Sequence, residues 1–210
     1  MLLGSRRAFF TVGAASSLVW TQEAMTTQTI SLQKAITIVE KHCPHDFLSS
    51  VVKTGRCLYR GENMDSSTIV SARPDLLQPE TYGNEDALAY FQCIEDQLRG
   101  ASVGALPSTG HIATTEKSEA ARWGVPASVW PLGGDFQFVW PRSRRLIFPG
   151  ADRCPDNDLV LNQDLSVALK YPREILFATN ATGQIEASSY LAIPGELDRY
   201  LLRMLASSMK

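Results

Sequence analysis

The chain has 210 residues, 44% of them hydrophobic, enough for one domain with a real core and too apolar for wholesale disorder. Its 20 basic and 22 acidic side chains leave a formal charge of −2, so it lacks the basic surplus that a nucleic-acid partner demands. Cys43, Cys57, Cys93 and Cys154 lie far apart with no C-x-x-C pair, which signals neither a zinc site nor a disulfide scaffold.

Residues Met1 to Gln22 hold two arginines and no acid, and Ser5-Arg6-Arg7-Ala8-Phe9-Phe10 precedes an uncharged run from Thr11 to Trp20. A basic start before a short apolar region is the layout of a targeting peptide, and the run is too short to span a bilayer comfortably. The segment resembles a twin-arginine export signal, which implies the periplasm or the thylakoid lumen. Its acid-free composition also suits a mitochondrial or plastid transit peptide, and a frayed tail on a cytoplasmic protein is the third option. We take 1–24 as the targeting segment and 25–210 as a single domain with no transmembrane segment. Removing Arg6, Arg7 and Glu23 leaves 18 basic and 21 acidic residues, a mature charge of −3.

Ser31 to Cys43 is an amphipathic helix with Leu32, Ala35, Ile36 and Val39 on one face, stopped by Pro44. His42-Cys43-Pro44-His45 gathers three potential ligands. Adjacent residues point apart and no second cluster completes a tetrahedron, so no metal is expected. Phe47 to Val52 adds a helical turn or two before Gly55.

Cys57-Leu58-Tyr59-Arg60-Gly61 reads as a short buried strand that runs into an arginine and is released by a glycine. Long cations are rarely taken inside without a partner, so Arg60 is either a structural ion pair or a ligand-binding group. Glu62 to Gly83 is a long polar connection. Asn84 to Arg99 is the clearest helix, capped by Asn84, with Ala87, Leu88, Phe91, Ile94 and Leu98 on its core face. His111 to Thr115 is a strand that ends in two hydroxyls. Glu116 to Gly124 is a helix with Thr115 as its N-cap and Ala120, Ala121 and Trp123 turned inward.

From Ala127 the pattern turns to strand: Ser128-Val129-Trp130, a turn at Gly133-Gly134, then Phe136 to Trp140, then Arg144 to Phe148. The last two, so closely joined, are expected to pair antiparallel. The aromatics Trp130, Phe136, Phe138 and Trp140 are core, or else a protein-interaction surface. Asp164 to Lys170 is a helical turn, and Arg173 to Thr179 is an apolar strand with Glu174 at its mouth. Asn180-Ala181-Thr182 fits a glycosylation acceptor of low specificity. Tyr190 to Ile193 is a last strand, and Gly195 to Ser207 a terminal helix with Leu197, Tyr200, Leu201, Met204 and Leu205 on one face. Helices at both ends and strands in the second half make the fold α+β, with N-terminal helices on a mainly antiparallel sheet and a C-terminal helix.

Arg60, Thr114/Thr115 and Glu174 follow one another in chain order at strand ends. Leu58-Tyr59-Arg60-Gly61, Ile112-Ala113-Thr114-Thr115 with Ala120-Ala121 behind it, and Arg173-Glu174-Ile175-Leu176 together resemble the ADP-ribosyltransferase family over about 57–179. The resemblance implies that the antiparallel β-sheet core is split, and it implies NAD as substrate and cleavage of its nicotinamide–ribose bond, by a transferase with a protein acceptor or by an NAD glycohydrolase. It implies Glu174 as the catalytic carboxylate, with Arg60, Gly61, Tyr59, Thr114 and Thr115 as NAD-binding residues. The chemistry suits these types: a guanidinium grips a pyrophosphate through two hydrogen bonds, and a carboxylate stabilises the positive charge that develops on the ribose. Pro172 stands where arginine-modifying members carry a second acid, and Ala113 where they carry a first hydroxyl. These departures leave a non-catalytic binding or accessory protein as the alternative.

Overall fold

The computed structural model describes residues 30–64, 68–70, 85–142, 158–180 and 188–209. The targeting segment, the Asn84 cap, the Arg144–Phe148 stretch and the Thr182 hydroxyl of the glycosylation motif lie outside these residues.

The chain is α+β. Helix α1 (Leu32–His42) begins where the Ser31 hydroxyl accepts the Lys34 N–H, and α2 (His45–Thr54) ends on Gly55 in the left-handed conformation at φ 65°. Strand β1 (Leu58–Glu62) comes next. Within the expected polar connection lies a short strand, β2 (Thr68–Val70), which the sequence reading missed. Helix α3 (Glu85–Gly100), β3 (His111–Thr114), the single-turn α4 (Lys117–Ala120), β4 (Val125–Leu132) and β5 (Phe136–Pro141) follow. The chain closes with β6 (Leu159–Leu161), α5 (Leu165–Ala168), β7 (Glu174–Thr179), β8 (Ser189–Pro194), a 3-10 turn and α6 (Asp198–Ser208).

The described strands form one antiparallel sheet in the order β2-β8-β4-β1-β3-β7-β5-β6. Strand β5 lies between β6 and β7, and the stretch expected to pair with it lies outside the described residues. Strands β1 and β4 share five paired positions and β3 and β7 share four, but β1 and β3 meet at one pair alone, Tyr59 with Thr114. The sheet therefore parts into two halves at its centre.

Each half is covered according to its alternation. Helix α3 packs Phe91, Ile94 and Leu98 on Ile112, Leu176, Ala178 and Val139, one face of β3–β7–β5. Ala113, Ile175 and Phe177, on the opposite face, join the larger core with α1, α2, α6 and β1–β4–β8. Burial of each large side chain there contributes about 1.5–3 kcal/mol. Trp130, Phe138 and Trp140 are buried and Phe136 packs on the same core, so this aromatic set is core and not a docking surface.

Two expectations fail on local geometry. The helix after β3 lasts one turn, so Ala120 is buried while Ala121 is exposed and Trp123 stands 69% exposed, not inward. In the terminal helix the buried face is Asp198, Leu201 and Leu205, and Tyr200 and Met204 face out. In covalent structure, Cys93 is disulfide-bonded, a single bridge and not a scaffold, whereas Cys43 and Cys57 are free and buried. Among the described residues no helix is long and apolar enough to cross a membrane, and no three ligating side chains gather around a metal position.

Candidate functional site

Strands β1, β3 and β7, which carry the residues singled out above, are consecutive neighbours at the centre of the sheet. Their register builds one polar rung. Glu174 pairs with Thr114, Thr114 with Tyr59, and Tyr59 with Ser128 on β4. Directly opposed residues line up along the backbone, so these four positions form a row across four strands, spanning about 14 Å, with Glu174 turned to α3 and Tyr59, packed on the larger core, to α6.

At one end of the row Glu174 is half-buried at the mouth of β7. The Tyr90 phenol on α3 lies within its field. Burial first, then the charges of Glu174 and Asp158, push that phenol up to about 12. The Thr114 hydroxyl accepts the Glu116 N–H at 3.1 Å and closes the turn after β3, and α4 itself has no side-chain cap. Thr115 is not the N-cap. It is turned to the other side, where its hydroxyl donates to the Tyr171 carbonyl at 2.7 Å and accepts the Arg173 N–H at 2.9 Å. Thr115 thus fastens the loop that delivers Glu174.

At the other end Asp198, at the start of α6, is 6% exposed. Lys117 Nζ stands 3.8 Å from its Oδ2 and 6.0 Å from the Tyr59 ring centre. Asp198 Oδ1 makes no hydrogen bond of its own. Burial raises its carboxyl above the ordinary value, opposed by the nearby Ser128 and Tyr59 hydroxyls and by Lys117. The Tyr59 phenol is raised too, by burial first and by the charges of Cys57 and Asp198. Sequence reasoning missed Asp198, because an acid in a first helical turn reads as an ordinary partner of the helix dipole.

Arg60 does not join this row. Strand alternation turns it, with Leu58 and Glu62, to the opposite face, and its contacts agree. Its Nη1 donates to the Ile112 carbonyl at 2.6 Å, its Nε lies 3.1 Å from Glu62 Oε1, and its guanidinium sits 5.7 Å from the Tyr190 ring centre. Tyr190 donates its phenol to the same Glu62 oxygen at 2.6 Å. Glu62 was legible in principle, since i and i+2 share a strand face. Tyr190, 128 residues further on, was not.

Gly61 is covered by protein. A Cβ there would lie 2.4 Å from the Ala120 carbonyl oxygen and 2.6 Å from the Gly124 nitrogen, so the glycine is what allows α4 and its following turn to rest on β1. A shallow groove of about 460 Å³ lies between α1, α2 and α6, lined by Glu40, His45, Leu48, Leu205, Ser208 and Met209. It contains none of the predicted site residues.

The site thus has two parts: a half-buried carboxylate beside a hydroxyl on one face, and a paired guanidinium on the other. Comparison of the chain with protein-family models, with curated proteins and with solved structures gives no match.

Proposed function

We propose that this chain cleaves the nicotinamide–ribose bond of NAD, as an ADP-ribosyltransferase or an NAD glycohydrolase. The observation that supports it is the direct pairing of Glu174 with Thr114 and of Thr114 with Tyr59, which brings residues remote in sequence onto one rung. On this reading the C–N bond breaks with its electron pair leaving on nicotinamide, and positive charge grows on the ribose. Glu174 stabilises that charge more in the transition state than in the ground state. Thr114 orients the ribose or the carboxylate, and Arg60 anchors the pyrophosphate. Water or an acceptor side chain then attacks the anomeric carbon and releases its proton to solvent. Cys93 in a disulfide supports an oxidising compartment, in keeping with an export leader.

The test is release of nicotinamide from labelled NAD by the chain lacking 1–24. Glu174→Gln is expected to lower the rate at least about 100-fold, the usual loss for a group that stabilises transition-state charge. No release from the native protein, or equal rates for the variant, rejects the reading.

The alternative is a non-catalytic binding or accessory protein, and one observation favours it: the Arg60 guanidinium already has Glu62 and the Ile112 carbonyl as partners. Such a module that ignores NAD shows the same melting temperature with and without it, whereas a ligand bound by the folded state alone raises that temperature.

A further inference from the structure

Two donors from distant strands converge on one carboxylate oxygen where the sheet parts. Arg60 Nε on β1 and the Tyr190 phenol on β8 both point at Glu62 Oε1, at 3.1 and 2.6 Å. A guanidinium can grip an anion through two parallel N–H bonds, yet Glu62 engages it through Nε. The pair is not sealed in the core: the Arg60 side chain is 31% exposed and that of Glu62 is 17% exposed. Glu62 is also the last residue of β1, so its side chain can swing away without unpairing the strand interior.

We propose that Glu62 is a tethered substitute for a diphosphate: it occupies Arg60 in the free protein, and the anionic ligand binds by displacing it. This rests on the reading of Arg60 as the pyrophosphate anchor and adds its regulation. The Arg60 guanidinium suits a phosphate oxygen as it suits the carboxylate, since both groups are anionic acceptors, while the Tyr190 phenol, on a residue 1% exposed, stays inside the core. Removing a competing carboxylate raises the fraction of binding-competent protein, and apparent affinity rises by the inverse of the fraction free at the start.

The probe is ADP, a diphosphate without a nicotinamide bond to break, titrated calorimetrically at fixed ionic strength. If about one molecule in ten of the native protein has Arg60 free, Glu62→Gln binds ADP about tenfold more tightly. Glu62→Asp shifts the same way, because a carboxylate one methylene shorter cannot reach both donors, and Arg60→Gln loses binding. Circular dichroism confirms that each variant is folded. Equal or weaker binding by both Glu62 variants, or no ADP binding by any folded form, overturns the proposal and leaves a structural ion pair. Nicotinamide release is scored separately. Tighter ADP binding without NAD cleavage sinks the catalytic reading and keeps the gate, and cleavage with unchanged ADP affinity does the reverse.

Discussion

His111 makes the stability of this fold sensitive to mild acid. It opens β3, is 6% exposed, and lies between the rings of Tyr190 and Phe177 at 4.8 and 5.5 Å. Its Nε2 meets the Ser188 carbonyl, so the neutral tautomer carries its proton there. Burial first, then the Arg60 charge, push its pKa down to about 3, and the Ser188 carbonyl opposes them. In the unfolded chain the value is about 6.5. Between those two values the unfolded state binds a proton that the folded state refuses, so stability falls as pH is lowered through that window. Each unit is at most about 1.4 kcal/mol, and integration from pH 7 to pH 5 gives a loss of about 2 kcal/mol. Asp198 works with the opposite sign. Its raised carboxyl contributes stability that is lost as pH rises through the folded value. The comparison is therefore with His111→Phe, which keeps Asp198 and an aromatic ring but cannot titrate. Urea unfolding followed by tryptophan fluorescence at pH 7, 6 and 5 reads the difference. The variant is expected to be less stable at pH 7 by about 1–3 kcal/mol, with the Ser188 carbonyl unpaired, yet to lose about 2 kcal/mol less on acidification. Parallel pH profiles for the two proteins would falsify the assignment of this slope to His111.

Gly61→Ala tests the close approach of α4 to β1. The new methyl meets backbone atoms of Ala120, Trp123 and Gly124 at 2.4–2.6 Å, so backbone must move, and a loss of about 3 kcal/mol is expected in the same urea assay. Wild-type stability would show that the turn gives way freely. For the disulfide, Cys93 is bonded and Cys43 and Cys57 are free, and Cys154, outside the described residues, is the fourth cysteine of the sequence. Non-reducing peptide mapping is expected to link Cys93 to Cys154. Thiol titration of the denatured, unreduced protein should count two groups, and reduction should cost about 2–4 kcal/mol. Four reactive thiols would contradict the bridge.

Much of the fold was legible because its signals are local. Ser31, Pro44 and Gly55 punctuate the first helices, and Phe91, Ile94 and Leu98 repeat at helical spacing. Strand β2 was not, since three residues in a polar stretch become a strand through pairing with β8. Trp123 was placed inward by extending a helical period that stops after one turn. The site was half legible for the same reason. Types and order of Arg60, Thr114 and Glu174 are in the sequence, and the register that aligns Glu174 with Thr114 is not. A one-residue shift in pairing moves every side chain to the other face. This is why Arg60 could be expected beside Glu174 and yet stands behind it.

That placement constrains any ligand that uses both groups. Arg60 and Glu174 sit two strand spacings apart, about 10 Å, on opposite faces of the sheet. Between them β1 and β3 share one pair, Tyr59 with Thr114, and Arg60 reaches across to the Ile112 carbonyl beside the buried rings of His111 and Tyr190. A lone phosphate can satisfy the guanidinium but cannot reach the carboxylate. A ribose without a diphosphate can lie against Glu174 and Thr114 but leaves Arg60 to Glu62. On the proposed reading the substrate must therefore carry an anionic group and a sugar joined by a spacer longer than that backbone separation, and its anion must win Arg60 from Glu62 before the sugar settles. Affinity then comes from the Arg60 side and rate from the Glu174 side. Arg60→Gln is expected to raise KM for NAD more than it lowers kcat, and Glu174→Gln to do the reverse. Steady-state kinetics that show both variants losing kcat alone would mean that Arg60 acts within the reaction and not in gripping the substrate, and the division of labour between the two faces would be wrong.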